Sequence, residues 1–96
     1  MITEHARLSV IPGEEEAFEN AFRKARRIIS TSPGFVSLSL SRSMETSNVY
    51  LLLVQWERLE DHTVGFRRSD GYRRWKELLH HFYDPFPTVE HFTAVV

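Results

Sequence analysis

Apolar and polar residues alternate from Ile2 to Ile11, with Ile2, Glu4, Ala6, Leu8 and Val10 on one side and Thr3, His5, Arg7, Ser9 and Ile11 on the other. A period of two predicts a β-strand. Pro12-Gly13 breaks it, and the apolar positions then fall at Ala17, Phe18, Ala21, Phe22, Ala25, Ile28 and Ile29, the spacing of a helix with one broad apolar stripe. Glu14, Glu15 and Glu16 crowd the start of that helix and Arg23, Lys24, Arg26 and Arg27 its end, as the helix dipole favours. Ser32-Pro33-Gly34 ends it. A second strand is expected over residues 35–43, where Val36, Leu38 and Leu40 alternate with Ser37, Ser39 and Ser41. A polar turn around residues 45–48 then leads into the continuously apolar run Val49 to Trp56, close enough to pair with it as an antiparallel hairpin. Leu59 to Phe66 predicts a short helix, and Ser69 is placed to cap a second one that carries Tyr72, Trp75, Leu78, Leu79 and Phe82 at helical spacing. Asp84-Pro85-Phe86-Pro87 stops it, and alternation from Thr88 to Val96 predicts a closing strand.

The order strand, helix, strand, strand, helix, strand is the split β-α-β arrangement of the ferredoxin-like α+β fold, with one four-stranded antiparallel sheet and both helices on one side. In that topology the first and third strands are central. The third is the strand that is apolar on both faces, and helices cover only one of them. Too little chain remains to build a second sheet, so the expected cover is another copy of the protein, packed sheet to sheet as a homodimer.

Composition narrows the function. With 96 residues, 42% of them hydrophobic and 26% charged, the chain is expected to form one domain over residues 1–96. A formal charge of −1 argues against a dedicated nucleic-acid binder. Having no cysteine, the chain builds no disulfide framework, thiolate metal site or cysteine nucleophile. Its first residues, Met1 to Arg7, meet charges at once and hold no long apolar run, so neither a signal peptide nor a membrane span is expected and the cytoplasm is the default location.

Five histidines raise the question of a metal, but their spacing does not favour one. His80 and His81 point about a hundred degrees apart on a helix, and His5, His62 and His91 belong to separate elements. Glu77-x-x-His80 matches half of a di-iron helix motif without its partners. Arg67, Arg68, Arg73, Arg74 and Lys76 form a basic cluster, offset by Asp70 and Glu77, that reads as a solvated helix face. Neither a Gly-rich phosphate loop nor a dinucleotide fingerprint occurs. What stands out is the aromatic supply of the second half: Trp56, Phe66, Tyr72, Trp75, Phe82, Tyr83, Phe86 and Phe92. Part of it is expected in the core and part around a cavity between helices and sheet, suited to a flat apolar ligand.

The run His62-Thr-Val-Gly-Phe66-Arg-Arg-Ser69-Asp-Gly-Tyr72-Arg-Arg-Trp75, followed by Asp84-Pro-Phe-Pro-Thr-Val-Glu-His-Phe92, resembles the antibiotic biosynthesis monooxygenase family. Pro12-Gly13, Ser32-Pro33-Gly34-Phe35 and Gln55-Trp56-Glu57 fall in the matching order, so the resemblance spans nearly the whole chain. It implies a dimeric α+β barrel of two ferredoxin-like subunits, which agrees with the dimer argued from the third strand. The family includes small monooxygenases that oxidise polycyclic phenols or quinols without metal or flavin, haem-degrading enzymes and an isomerase, so the fold alone leaves the reaction open. Where the haem-degrading branch has an asparagine, a tryptophan and a ligating histidine, this chain has Ala6, Phe66 and Lys76, which disfavours that reaction. Against the polar residue, tryptophan and tyrosine of the phenol-oxidising branch it has His62, Phe66 and Tyr72.

The reading implied is a cofactor-independent monooxygenase of a small phenolic or quinol-type substrate, using no metal. Its alternatives are a non-catalytic dimer that binds a small molecule in the same cavity, and a haem-handling protein. Oxygen chemistry without a cofactor requires the substrate itself to become an electron-rich anion, while the protein binds it flat, takes a proton and excludes water. His62 is the candidate base or hydrogen-bond partner and Tyr72 the candidate donor to a substrate oxygen. Phe66, Trp75, Trp56 and Ala6 are the candidate substrate contacts. The expected partners are a second copy and a small apolar or aromatic ligand, with no nucleic acid or membrane.

Overall fold

The computed structural model describes all residues 1–96. It contains β1 (Ile2–Ser9), α1 (Glu15–Ile29), β2 (Phe35–Arg42), β3 (Val49–Trp56), a π-helical turn (Asp61–Phe66), α2 (Asp70–Leu79), a 3₁₀ turn (His80–Phe82) and β4 (Val89–Phe92). The strands form one antiparallel sheet in the order β2-β3-β1-β4, so β1 and β3 are central. Leu8 lies opposite Tyr50, Ala6 opposite Leu52 and Glu4 opposite Val54, which puts the even-numbered residues of both central strands on one face. That face is buried beneath α1, which contributes Phe18, Phe22, Ala25 and Ile29, and α2, which contributes Trp75 and Leu79. One helix layer on one sheet gives a slab 19 Å thick.

The elements follow the hydrophobic pattern closely, and the departures have local causes. β1 ends at Ser9, and Val10 makes an isolated bridge to Tyr83. The last strand is four residues long and not the nine of its alternating run, because only Val89 to Phe92 reach β1; Val95 and Val96 are exposed. The short helix expected over residues 59–66 begins as a helical turn and widens at Asp61, with the Arg67 N–H donating to the His62 carbonyl, a five-residue step. Such wide turns occur disproportionately at functional sites. Gly34 sets its start. A side chain at Gly34, whose φ is +83°, would collide with Asp61, whose carboxylate accepts the Arg58 backbone N–H. Ser69 caps α2 as its sequence predicts, its hydroxyl accepting the Tyr72 N–H at 3.1 Å.

The other face of the sheet carries no helix. Leu51 and Leu53 of β3 are flanked there by Ser39 and Ser41 of β2 and His5 and Arg7 of β1. Leu51 and Phe92 remain exposed, and the buried His5 Nδ1 has no hydrogen-bond partner within the chain.

Candidate active site

The site begins with a charged residue in an apolar row. Along β1 the helix-facing positions are Glu4, Ala6 and Leu8, and Glu4 is 6% exposed. Burying a carboxyl is costly unless its oxygens find partners. One oxygen, Oε1, accepts the Trp56 indole N–H at 3.0 Å and lies 3.3 Å from His62 Nε2. His62 is held from two further sides. It stacks on Trp56 with ring centres 5.5 Å apart, and its Nδ1 is 2.8 Å from Nε2 of His91, which stands opposite Glu4 in the β1–β4 register. Glu4, His62 and His91 therefore lie in series. They do not converge on one point, as ligands of a metal would.

Burial decides their charge. It pushes the Glu4 carboxyl above its ordinary range, against the opposing pull of the Trp56 N–H and the Arg67 cation. It pushes His62 down to about 3, with the Arg67 and His91 charges adding to the effect, so His62 is neutral near pH 7. His91 and His80 are shifted down and the Tyr83 hydroxyl up, in each case chiefly through burial. Each of these shifts favours the neutral form.

Above this polar floor opens a cavity of about 340 Å³, near the small end of the roughly 300–1,000 Å³ typical of ligand sites. Ala6 and Leu52 of the central strands form part of its base, and the small Ala6 side chain leaves room beside Glu4. Phe66, Tyr72 and Trp75 make an aromatic wall, with Phe66 edge-on to Tyr72 at 5.5 Å and to Trp75 at 5.8 Å. His80, Tyr83 and Phe86 close another side, with His80 edge-on to Phe86 at 4.8 Å. Arg67, which is exposed and makes no ion pair, is the one Lys or Arg residue in the lining.

The sequence candidates His62, Tyr72, Phe66, Trp75 and Ala6 thus meet around one cavity. Trp56, expected among the substrate contacts, lies elsewhere. It is fully buried behind the cavity between Phe35, His62 and Phe66, and it supports the site from behind, through its N–H on Glu4 and its ring against His62 and Phe66. Sequence reasoning missed Glu4 and His91. The signal for Glu4 was present, as a charge in the apolar row of β1; His91 carried none, because only the register of β4 brings it to His62.

The family model for antibiotic biosynthesis monooxygenases matches residues 1–78. The chain belongs to the antibiotic biosynthesis monooxygenase family. It is 57% identical over 95 residues to the uncharacterized protein YczJ of Bacillus subtilis (strain 168), covering 99% of this chain and all of that one. A Bordetella bronchiseptica structure described as an antibiotic biosynthesis monooxygenase superposes with a TM-score of 0.94 at 34% identity, covering 99% of this chain and 97% of the other. SnoaB of Streptomyces nogalater, a cofactor-independent oxygenase, superposes with a TM-score of 0.78 at 25% identity, covering 99% and 93%. These matches establish the four-stranded antiparallel α+β fold. No helix is long and apolar enough to cross a membrane.

Proposed function

We propose that the protein is a monooxygenase that oxidises a small phenolic, quinol or anthrone-like compound with molecular oxygen and without a cofactor. The observation that carries this reading is an aromatic-walled cavity with a buried carboxyl–imidazole pair on its floor. A planar substrate stacks against Phe66 and Trp75, and Tyr72 donates a hydrogen bond to its oxygen. The proton leaves the substrate at the His62 end. The resulting anion passes an electron to oxygen, a carbon–oxygen bond forms, and return of the proton gives a hydroperoxide. Loss of the second hydrogen with cleavage of the O–O bond releases water, so a CH₂ group and O₂ become a carbonyl and H₂O. Exclusion of water by the apolar walls protects the anion. SnoaB, cofactor-independent and of the same fold, supports the same class of reaction.

The test is oxygen uptake by metal-free protein with a panel of hydroquinones and anthrones. Turnover is expected, with a loss of at least about 100-fold in a His62→Ala, Tyr72→Phe double variant. Equal uptake by the variant, or none by the parent, overturns the reading.

The same reading includes a homodimer formed through the open face of the sheet. Leu51, Leu53, Phe92 and the unpartnered His5 Nδ1 lie on that face and support it. Sedimentation at micromolar concentration is expected to give a dimer, and Leu51→Arg a monomer. A monomeric parent protein removes this part.

A further inference from the structure

We propose that Glu4 is the group that takes the substrate proton, and that His62 and His91 are positioning residues that work through it. The proposal rests on the reading above and assigns the proton step within it.

Three observations carry it. Both ring nitrogens of His62 are occupied, Nε2 beside Glu4 at 3.3 Å and Nδ1 beside His91 at 2.8 Å, and the ring is clamped flat on Trp56. A substrate proton therefore finds no free lone pair on His62. Glu4 differs: Oε1 is engaged by the Trp56 N–H, but Oε2 has no hydrogen-bond partner in the chain, and the residue lines the cavity. It is also the one carboxylate in the cavity wall.

The chain Glu4–His62–His91 then has a direction. A carboxylate beside Nε2 favours the His62 tautomer that carries its hydrogen there, and Nδ1 accepts the Nε2–H of His91. In this state one side of Glu4 is fixed by Trp56 and His62 and the other is free for the substrate. Burial raises the proton affinity of the ionised carboxylate, which suits a base working on a phenol or an activated CH₂. The proton that Oε2 takes is the one returned to the peroxide, so the reaction has no net proton exchange with solvent.

Two measurements test the assignment. The first needs no turnover: ¹⁵N–¹H imidazole correlations of the whole protein at pH 7, in the parent and in Glu4→Gln. A neutral His62 protonated on Nε2 is expected in the parent, with its Nε2 and Nδ1 shifts both altered in Glu4→Gln. A His62 protonated on Nδ1, or one blind to Glu4→Gln, overturns the chain. The second uses dithranol, an anthrone. Glu4→Gln is expected to bind it, read as Trp fluorescence quenching, within about threefold of the parent while oxygen uptake falls by about 10²–10⁴-fold. His91→Ala is expected to lower uptake about tenfold and displace the acid limb of its pH profile, and His91→Gln, which restores a hydrogen-bond donor, to recover most of the loss. Uptake undiminished in Glu4→Gln overturns the assignment of the base. Failure of the parent protein to oxidise any compound overturns the oxygenase reading instead, and the imidazole signals still decide the chain.

Discussion

The two ends of the layer between helices and sheet are built from the same strands and treated in opposite ways. At one end Phe18 is fully buried among Tyr50, Phe22, Phe82 and Tyr83, all with ring centres within 6.0 Å. The Tyr50 hydroxyl reaches outward from it and donates to Glu19 at 2.6 Å. At the other end Ala6 and Glu4 replace the large side chains of Leu8 and Val10, a cavity opens, and the polar groups point inward. The first end gains dispersion and hydrophobic burial with every ring it packs. The second gives up packing and buries a carboxyl and an imidazole, a cost that stability alone does not explain. Chemistry is expected where a small domain leaves its core unfilled.

Breaking the packed end should cost most. Phe18→Ala is expected to lower unfolding free energy by about 3–5 kcal/mol in urea titrations. Filling the open end should do the reverse, with Ala6→Leu leaving stability unchanged or raising it by up to about 1 kcal/mol while abolishing dithranol binding. A loss above roughly 2 kcal/mol in Ala6→Leu is the signature of an overpacked site and erases the contrast between the ends.

Acid sharpens the comparison next. His62 has a folded pKa of about 3 against an ordinary value near 6.5, so below pH 6.5 the unfolded chain binds the extra proton and stability falls as pH drops from 6.5 toward 3. Glu4, shifted up, acts in the opposite sense: its contribution is greatest at low pH and is lost as pH rises through its raised pKa. His62→Gln is expected to flatten the fall in melting temperature between pH 6.5 and 4, whereas Phe18→Leu lowers the whole curve without changing its slope. The smallest effect belongs to Arg67, whose charge lowers the Glu4 pKa. In Arg67→Gln the acid limb of oxygen uptake should move to higher pH by a fraction of a unit, and a shift to lower pH would contradict Glu4 as the base.

Much of the packed end was legible in the sequence, because its information is local. Period-two and period-3.6 patterns place β1, α1 and β2 within a few residues, the apolar run fixes β3 at Val49–Trp56, and Ser69 announces α2. The open end depends on what the sequence does not order. His62 and Tyr72 were accessible through the family pattern, but the pairing of His62 with Glu4 and His91 needs the β1–β4 register and a π-helical turn that no periodicity signals. Trp56 illustrates the difference: its aromatic character marked it as a substrate contact, while its place at the end of β3 turns its ring behind the cavity. Hydrophobic patterning says which face a residue takes, and packing against other elements decides what it meets there.

The most direct test of cofactor-free oxygenation is turnover of dithranol by chelator-treated protein under ¹⁸O₂, with mass analysis of the product. One ¹⁸O atom in the product carbonyl of the parent protein, and its loss in Glu4→Gln, is the result expected of this site. Unlabelled product, or equal labelling by the parent, Glu4→Gln and a protein-free control, would contradict it.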